Sequence, residues 1–119
     1  MLDASFHSGR AILPRERALL AALLDLSQEA LDAWLSGSVV IDMDDGGMGS
    51  IQFVRESRPE RSLGACIAQA EFIDSDGVLV NIVVNLDHLG DLYELDFWKV
   101  DFSQLLSYPV PSQLIAHAP

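Results

Sequence analysis

Residues 66–86 read CIAQAEFIDSDGVLVNIVVNL, and this stretch decides the fold class. Cys66, Ala68, Ala70 and Phe72 alternate with Gln69 and Glu71. That is the period of two expected of a half-buried strand. Asp74-Ser75-Asp76-Gly77 follows, with the residues a tight reversal needs. Val78, Val80, Ile82, Val84 and Leu86 then share one face, with Asn81 and Asn85 on the other. Two strands and a turn predict an antiparallel hairpin with one apolar face.

The pattern extends in both directions. DHLGD (87–91) is a second turn. Beyond it, Tyr93, Leu95 and Phe97 alternate with Glu94, Asp96 and Trp98. Upstream, RESRPER (55–61) is a charged loop, and Ile51 and Phe53 mark another strand. Val39, Ile41 and Met43 alternate with Val40, Asp42 and Asp44, which predicts a first strand with Asp42 pointing away from the core. Each strand joins the next through a turn or modest loop, the pattern of an antiparallel meander. FSQLLSYP (102–109) predicts a short helix, broken by Pro109 and Pro111.

The N-terminal third has a different period. Pro14 suits a first helical turn, and Leu19, Leu20, Leu23, Leu24 and Leu26 follow at helical spacing. Ser27 is the expected N-cap of a second helix, with Gln28 and Glu29 in its first turn. Leu31, Trp34 and Leu35 form its apolar stripe, and Gly37 ends it. The expected fold is α+β: an N-terminal helical hairpin packed on one face of an antiparallel meander sheet of about five strands. The expected organisation is a flexible N-terminal arm over 1–12, one domain over 13–109 and a C-terminal tail over 110–119.

Half of the 119 residues are hydrophobic, enough for a core. Seven basic residues face eighteen acidic ones, for a formal charge of -11. Such a surface repels phosphate backbones and anionic lipids, so neither nucleic acid nor membrane is an expected partner. A basic protein would be steered toward it. Cys66 is the single cysteine, so no internal disulfide forms and a reducing compartment fits. It reads as a small core residue. The N-terminus has no signal-peptide pattern and no apolar run reaches membrane length. A cytoplasmic location is expected.

DMDDGG (42–47) concentrates carboxylates and glycines. Its main reading is a hairpin turn, because Asp and Gly tolerate positive φ and Asp bonds its own backbone. The alternative is a hard-cation site using Asp42, Asp44 and Asp45, for a cation-binding protein or small enzyme. The spaced acids of an EF-hand are absent, and GGMGS lacks the lysine of a phosphate loop. His7, His88 and His117 show no zinc spacing. Ser50 lies outside any GxSxG elbow. No cofactor and no catalytic residue is expected from these patterns.

Glu94, Asp96 and Trp98 share one strand face. Two carboxylates beside a tryptophan suit a basic partner, since tryptophan is enriched at binding hot spots. They could also serve as an acid/base pair. The third reading is a solvated face, with the acids paired to Lys99 or Arg55.

DDGGMGSIQF (44–53) and LYELDFWKVDFSQLLSYP (92–109) together resemble a family of small uncharacterised bacterial domains. That family pattern also includes a Pro-Glu-Arg-like helix start, here PRERALLAALL (14–24), and an Asp-x-Asp-Gly turn, here DSDG (74–77). The resemblance covers residues 13–109. It departs at Leu13, where a better N-cap such as Thr is expected. It implies a fold and a bacterial origin, and no reaction.

The functional expectation is a non-enzymatic protein-binding domain, by analogy of size and charge an immunity (antitoxin-like) protein that occludes a basic toxin. Its partner-binding residues are expected to be Asp42, Asp44, Glu94, Asp96 and Trp98. A structural homodimer is a further alternative.

Overall fold

A computed structural model describes residues 9–55 and 60–119. The middle of the charged loop expected over 55–61 lies outside the described residues, as do residues 1–8 of the expected arm.

Helix α1 spans Pro14–Leu24 and α2 spans Gln28–Leu35. Leu13 offers no side-chain acceptor to α1. Instead Glu16 reaches back, and its Oε1 accepts the Leu13 N–H at 2.8 Å, satisfying one of the groups a helix start leaves open. Asp25 closes α1 in the left-handed region at φ 53. Ser27 caps α2 as its sequence predicts, Oγ accepting the Ala30 N–H at 3.1 Å. Leu19, Leu20, Leu31 and Leu35 turn inward.

Six antiparallel strands form one sheet: β1 Ser38–Asp42, β2 Ile51–Arg55, β3 Leu63–Ile73, β4 Leu79–Asp87, β5 Leu92–Lys99 and β6 Ile115–His117. The α+β class and the helical cover are as expected. The strand order is β1-β2-β5-β4-β3-β6, so the hairpins β1–β2 and β3–β4–β5 are local but β2 does not pair with β3. Ile51 pairs with Leu95 and Gln52 with Glu94. The chain leaves β2 and enters the sheet again on the far side of β4. Loop composition does not report which sheet edge a returning strand joins, and that is why a plain meander was the sequence expectation. The sixth strand comes from the expected tail, where Ala116 pairs with Ala70.

Two further expectations are corrected. Val40, 1% exposed and paired with Phe53, is the inward residue of β1. Alternation therefore puts Val39 and Ile41 on the outer face and Asp42 on the helix side. A five-residue strand of mostly apolar residues carries too little contrast to set its own parity. The segment 102–109 is not helical. Tertiary acceptors take its amides: the Leu105 N–H donates to the Gly47 carbonyl at 3.1 Å, and the Leu106 and Ser107 N–H groups donate to the Asp74 carboxylate at 2.9 and 3.0 Å.

The core lies between helices and sheet. Phe53, Phe72, Phe97, Ile51, Ile82 and Leu95 from the strands meet Leu19, Leu20 and Leu31 from the helices. Burying each side chain of this size contributes about 1.5–3 kcal/mol before entropy is charged. Cys66, expected as a small core residue, is only half-buried and stands outside the core cluster, because the strand register shifts between Cys66 and Ala68.

Candidate functional site

The DMDDGG stretch forms the β1–β2 connection, and its carboxylates go to separate tasks. Asp42 accepts from Arg10 twice, Nε–Oδ2 at 3.2 Å and Nη2–Oδ1 at 2.8 Å. That guanidinium holds the Asp42 carboxyl below its usual range. Arg10 also grips Glu16 with two bonds of 2.9 and 2.8 Å, and its backbone exchanges two 2.8 Å bonds with Val40. Asp45 turns back on its own loop, accepting the Met48 and Ser50 N–H groups at 3.0 Å each. Asp44 stands exposed. The three do not converge, and among the described residues no group of three or more potential ligands could hold a metal ion.

The outer sheet face carries Glu94, Asp96 and Trp98, as their spacing predicts. In register they lie opposite Asn85, Val83 and Asn81 of β4. Glu94 accepts from Asn85 Nδ2 at 3.3 Å. Asp96 accepts the Ser50 hydroxyl at 2.9 Å, while that hydroxyl accepts the Phe97 N–H at 2.8 Å. Trp98 is 51% exposed and packs at a tilt on Phe102, centroids 6.2 Å apart, itself 68% exposed. Phe102 sits in the left-handed region at φ 62, a strained conformation for a bulky residue. Sequence reasoning missed Phe102, because only the turn closed by its N–H on the Lys99 carbonyl at 2.9 Å brings it under Trp98.

Asp42 is not part of this face. It lies on the helix side, so the five expected binding residues do not form one patch. Lys99 and Arg55 do not neutralise the acids either. Lys99 points inward, fully buried, and its Nζ donates to Asp74 Oδ2 at 2.8 Å, Asp76 Oδ2 at 2.6 Å and the Gln104 carbonyl at 3.0 Å. Arg55 donates to Ser38 Oγ and to the Trp34 carbonyl.

A cleft of about 260 Å³ opens on the helix side, between the start of α1, the glycine loop and segment 105–108. Arg10, Arg15, Glu16, Asp42 and Tyr108 line it. The Arg15 guanidinium lies over the Tyr108 ring, 5.0 Å from its centroid, and Tyr108 packs on Phe97 at 5.4 Å. The Tyr108 hydroxyl is buried and has no hydrogen-bond partner among the described residues. Burial pushes that phenol up from its usual value. Arg15 and Tyr108 come from opposite ends of the domain, and no motif links them.

No helix among the described residues is long and apolar enough to cross a membrane. No curated protein and no solved structure gives a significant match to the chain. Residues 9–109 match the model of a family described as Domain of unknown function (DUF6984).

Proposed function

The chain belongs to the DUF6984 family of domains of unknown function, and we propose that it is a non-enzymatic protein-binding domain whose outer sheet face docks a basic protein, as an immunity protein occludes a toxin. The observation that carries this reading is Trp98, half exposed and packed at a tilt against an exposed Phe102, on the same strand face as Glu94. An exposed aromatic pair gives a partner apolar area to bury. The neighbouring carboxylates, in a chain of charge -11, select a basic one and speed its approach. The proposed setting is the bacterial cytoplasm, where the free thiol of Cys66 stays reduced.

The cation-dependent alternative has less support. Asp42 is committed to Arg10 and Asp45 to its own loop amides, which leaves Asp44 alone among the three acids.

Affinity capture with the wild-type chain and a Glu94→Lys/Trp98→Ala variant, run side by side at low and high salt, tests the proposal. It expects one basic protein retained by the wild type at low salt and lost both at high salt and with the variant. Equal retention by the variant, an acidic partner, or no partner for either form counts against it.

A further inference from the structure

We propose that the cleft between Arg15 and Tyr108 is a binding site for an organic monocarboxylate. Consider first where the cations go. Arg10 pairs with Glu16 and Asp42, Arg17 with Asp32, Arg61 with Asp87, and Lys99 with Asp74 and Asp76. Arg55 donates to Ser38 and Trp34. Among the described arginines and lysine, the Arg15 side chain alone makes neither an ion pair nor a hydrogen bond. A chain with eighteen acids has no shortage of carboxylates to offer it.

Arg15 is nonetheless held in place. The face of Tyr108 supports its guanidinium, and Phe97 supports that ring from inside. A guanidinium fixed by stacking keeps its planar fork of donors available, and a carboxylate matches that fork with two parallel bonds.

The Tyr108 hydroxyl is the second observation. Tyr108 lines the same cleft, its hydroxyl is buried behind that wall, and no described group accepts from the hydroxyl or donates to it. Because burial disfavours the phenolate, the group remains a donor in want of an acceptor. One oxyanion would meet the needs of both residues.

Charge narrows the ligand class. Glu16 and Asp42 also line the cleft, and Arg10 lies between them. The local balance is neutral, inside a molecule of charge -11. A phosphate dianion would meet repulsion that a single delocalised charge largely escapes. Leu105 and Leu106 on the wall suit an apolar body behind the carboxylate. The volume fits a small molecule or the last residue of a peptide.

The test is a two-dimensional NMR titration of the full chain with benzoate and hexanoate, and with benzamide, hexanamide and inorganic phosphate as controls. The amides of Gly47 and Gly49 and the Arg15 side chain are the reporters. Saturable shifts are expected with the acids, none with the amides and weaker ones with phosphate. Arg15→Gln is expected to weaken binding about tenfold or more without changing the melting temperature, since it removes a charge-assisted pair. Arg15→Lys should fall between, and Tyr108→Phe should lose part of the affinity. No saturable shift, equal shifts for acid and amide, or unchanged affinity in Arg15→Gln overturns the proposal. A parallel arm compares an N-acetylated dipeptide acid with its C-terminal amide. Tighter binding of the dipeptide acid than of benzoate identifies a peptide C-terminus as the source, and the reverse identifies a free small acid.

Discussion

Lys99 and Asp74 form an ion pair in which both side chains are completely buried, Nζ to Oδ2 2.8 Å. It joins the end of β5 to the DSDG turn, and it draws in a third segment. Gln104 gives its carbonyl to Lys99, and Leu106 and Ser107 give their N–H groups to Asp74. Two of the stretches that carry the family resemblance, DSDG and the WKVDF region, are thus halves of one buried anchor. Arg61 and Asp87 do the same for the other turn, with Leu89 and Asp91 N–H groups also donating to Asp87.

Lys99→Met should destabilise the domain by about 3–5 kcal/mol, because it strands a buried carboxylate. Urea unfolding measures it. A loss below about 1 kcal/mol would show that the pair behaves as a surface contact.

Acid should unfold the protein between roughly pH 4 and pH 2. Burial tends to raise Asp74 and Asp87, but donated backbone N–H groups and the cations Lys99 and Arg61 outweigh it and bring both carboxyls to about 2 from 3.8. A carboxyl whose folded value is depressed adds stability that is complete above its unfolded value and is lost as pH falls through the folded one. Each pair is worth about 2 kcal/mol. Circular dichroism against pH follows the loss, and Asp74→Asn should be less stable at pH 7 with a shallower pH slope in that window.

Arg10→Ala should cost about 2–3 kcal/mol more than Arg17→Ala. Removing Arg10 leaves Glu16, 2% exposed, without its bidentate partner. Removing Arg17 frees an Asp32 side chain that is 62% exposed, worth at most about 1 kcal/mol. Thermal unfolding of both variants decides the order.

Gly64→Ala should be more damaging than Gly77→Ala. A Cβ at Gly64 would lie 2.3 Å from the Asp87 carbonyl oxygen, against backbone that cannot step aside. Gly77 faces open space and needs only its positive φ of 82°, a strain of about 1–2 kcal/mol. Paired melting curves give the comparison.

Glu94→Lys and Trp98→Ala should each change stability by less than about 0.5 kcal/mol, so that loss of partner in those variants reports binding. Asp96→Lys should cost about 0.5–1.5 kcal/mol, since Ser50, 2% exposed, loses a charged acceptor of its hydroxyl at 2.9 Å and keeps only the Phe97 carbonyl at 3.2 Å. Equal behaviour of all three would remove Asp96 from its structural role.

What could be read from the chain alone was what neighbours in sequence determine. The alternation in β3, β4 and β5, the DSDG and DHLGD turns, the Pro14 start and the Ser27 cap all depend on contacts within a few residues, and they appear where their patterns place them except at Cys66 and Tyr93, next to irregularities in the register. The face shared by Glu94, Asp96 and Trp98 was legible for the same reason. The remaining features depend on which distant groups meet. The edge that β2 joins, the inward turn of Val40, the straightened 102–109 segment and the meeting of Arg15 with Tyr108 have no local signature. Lys99 shows the division most plainly. Its sequence reading made it a partner for the outer-face acids, but it lies fully buried on the inner face, where desolvation forbids a lysine unless it is paired. Only the tertiary structure brings Asp74 and Asp76 to within 3 Å of it and makes that position tenable.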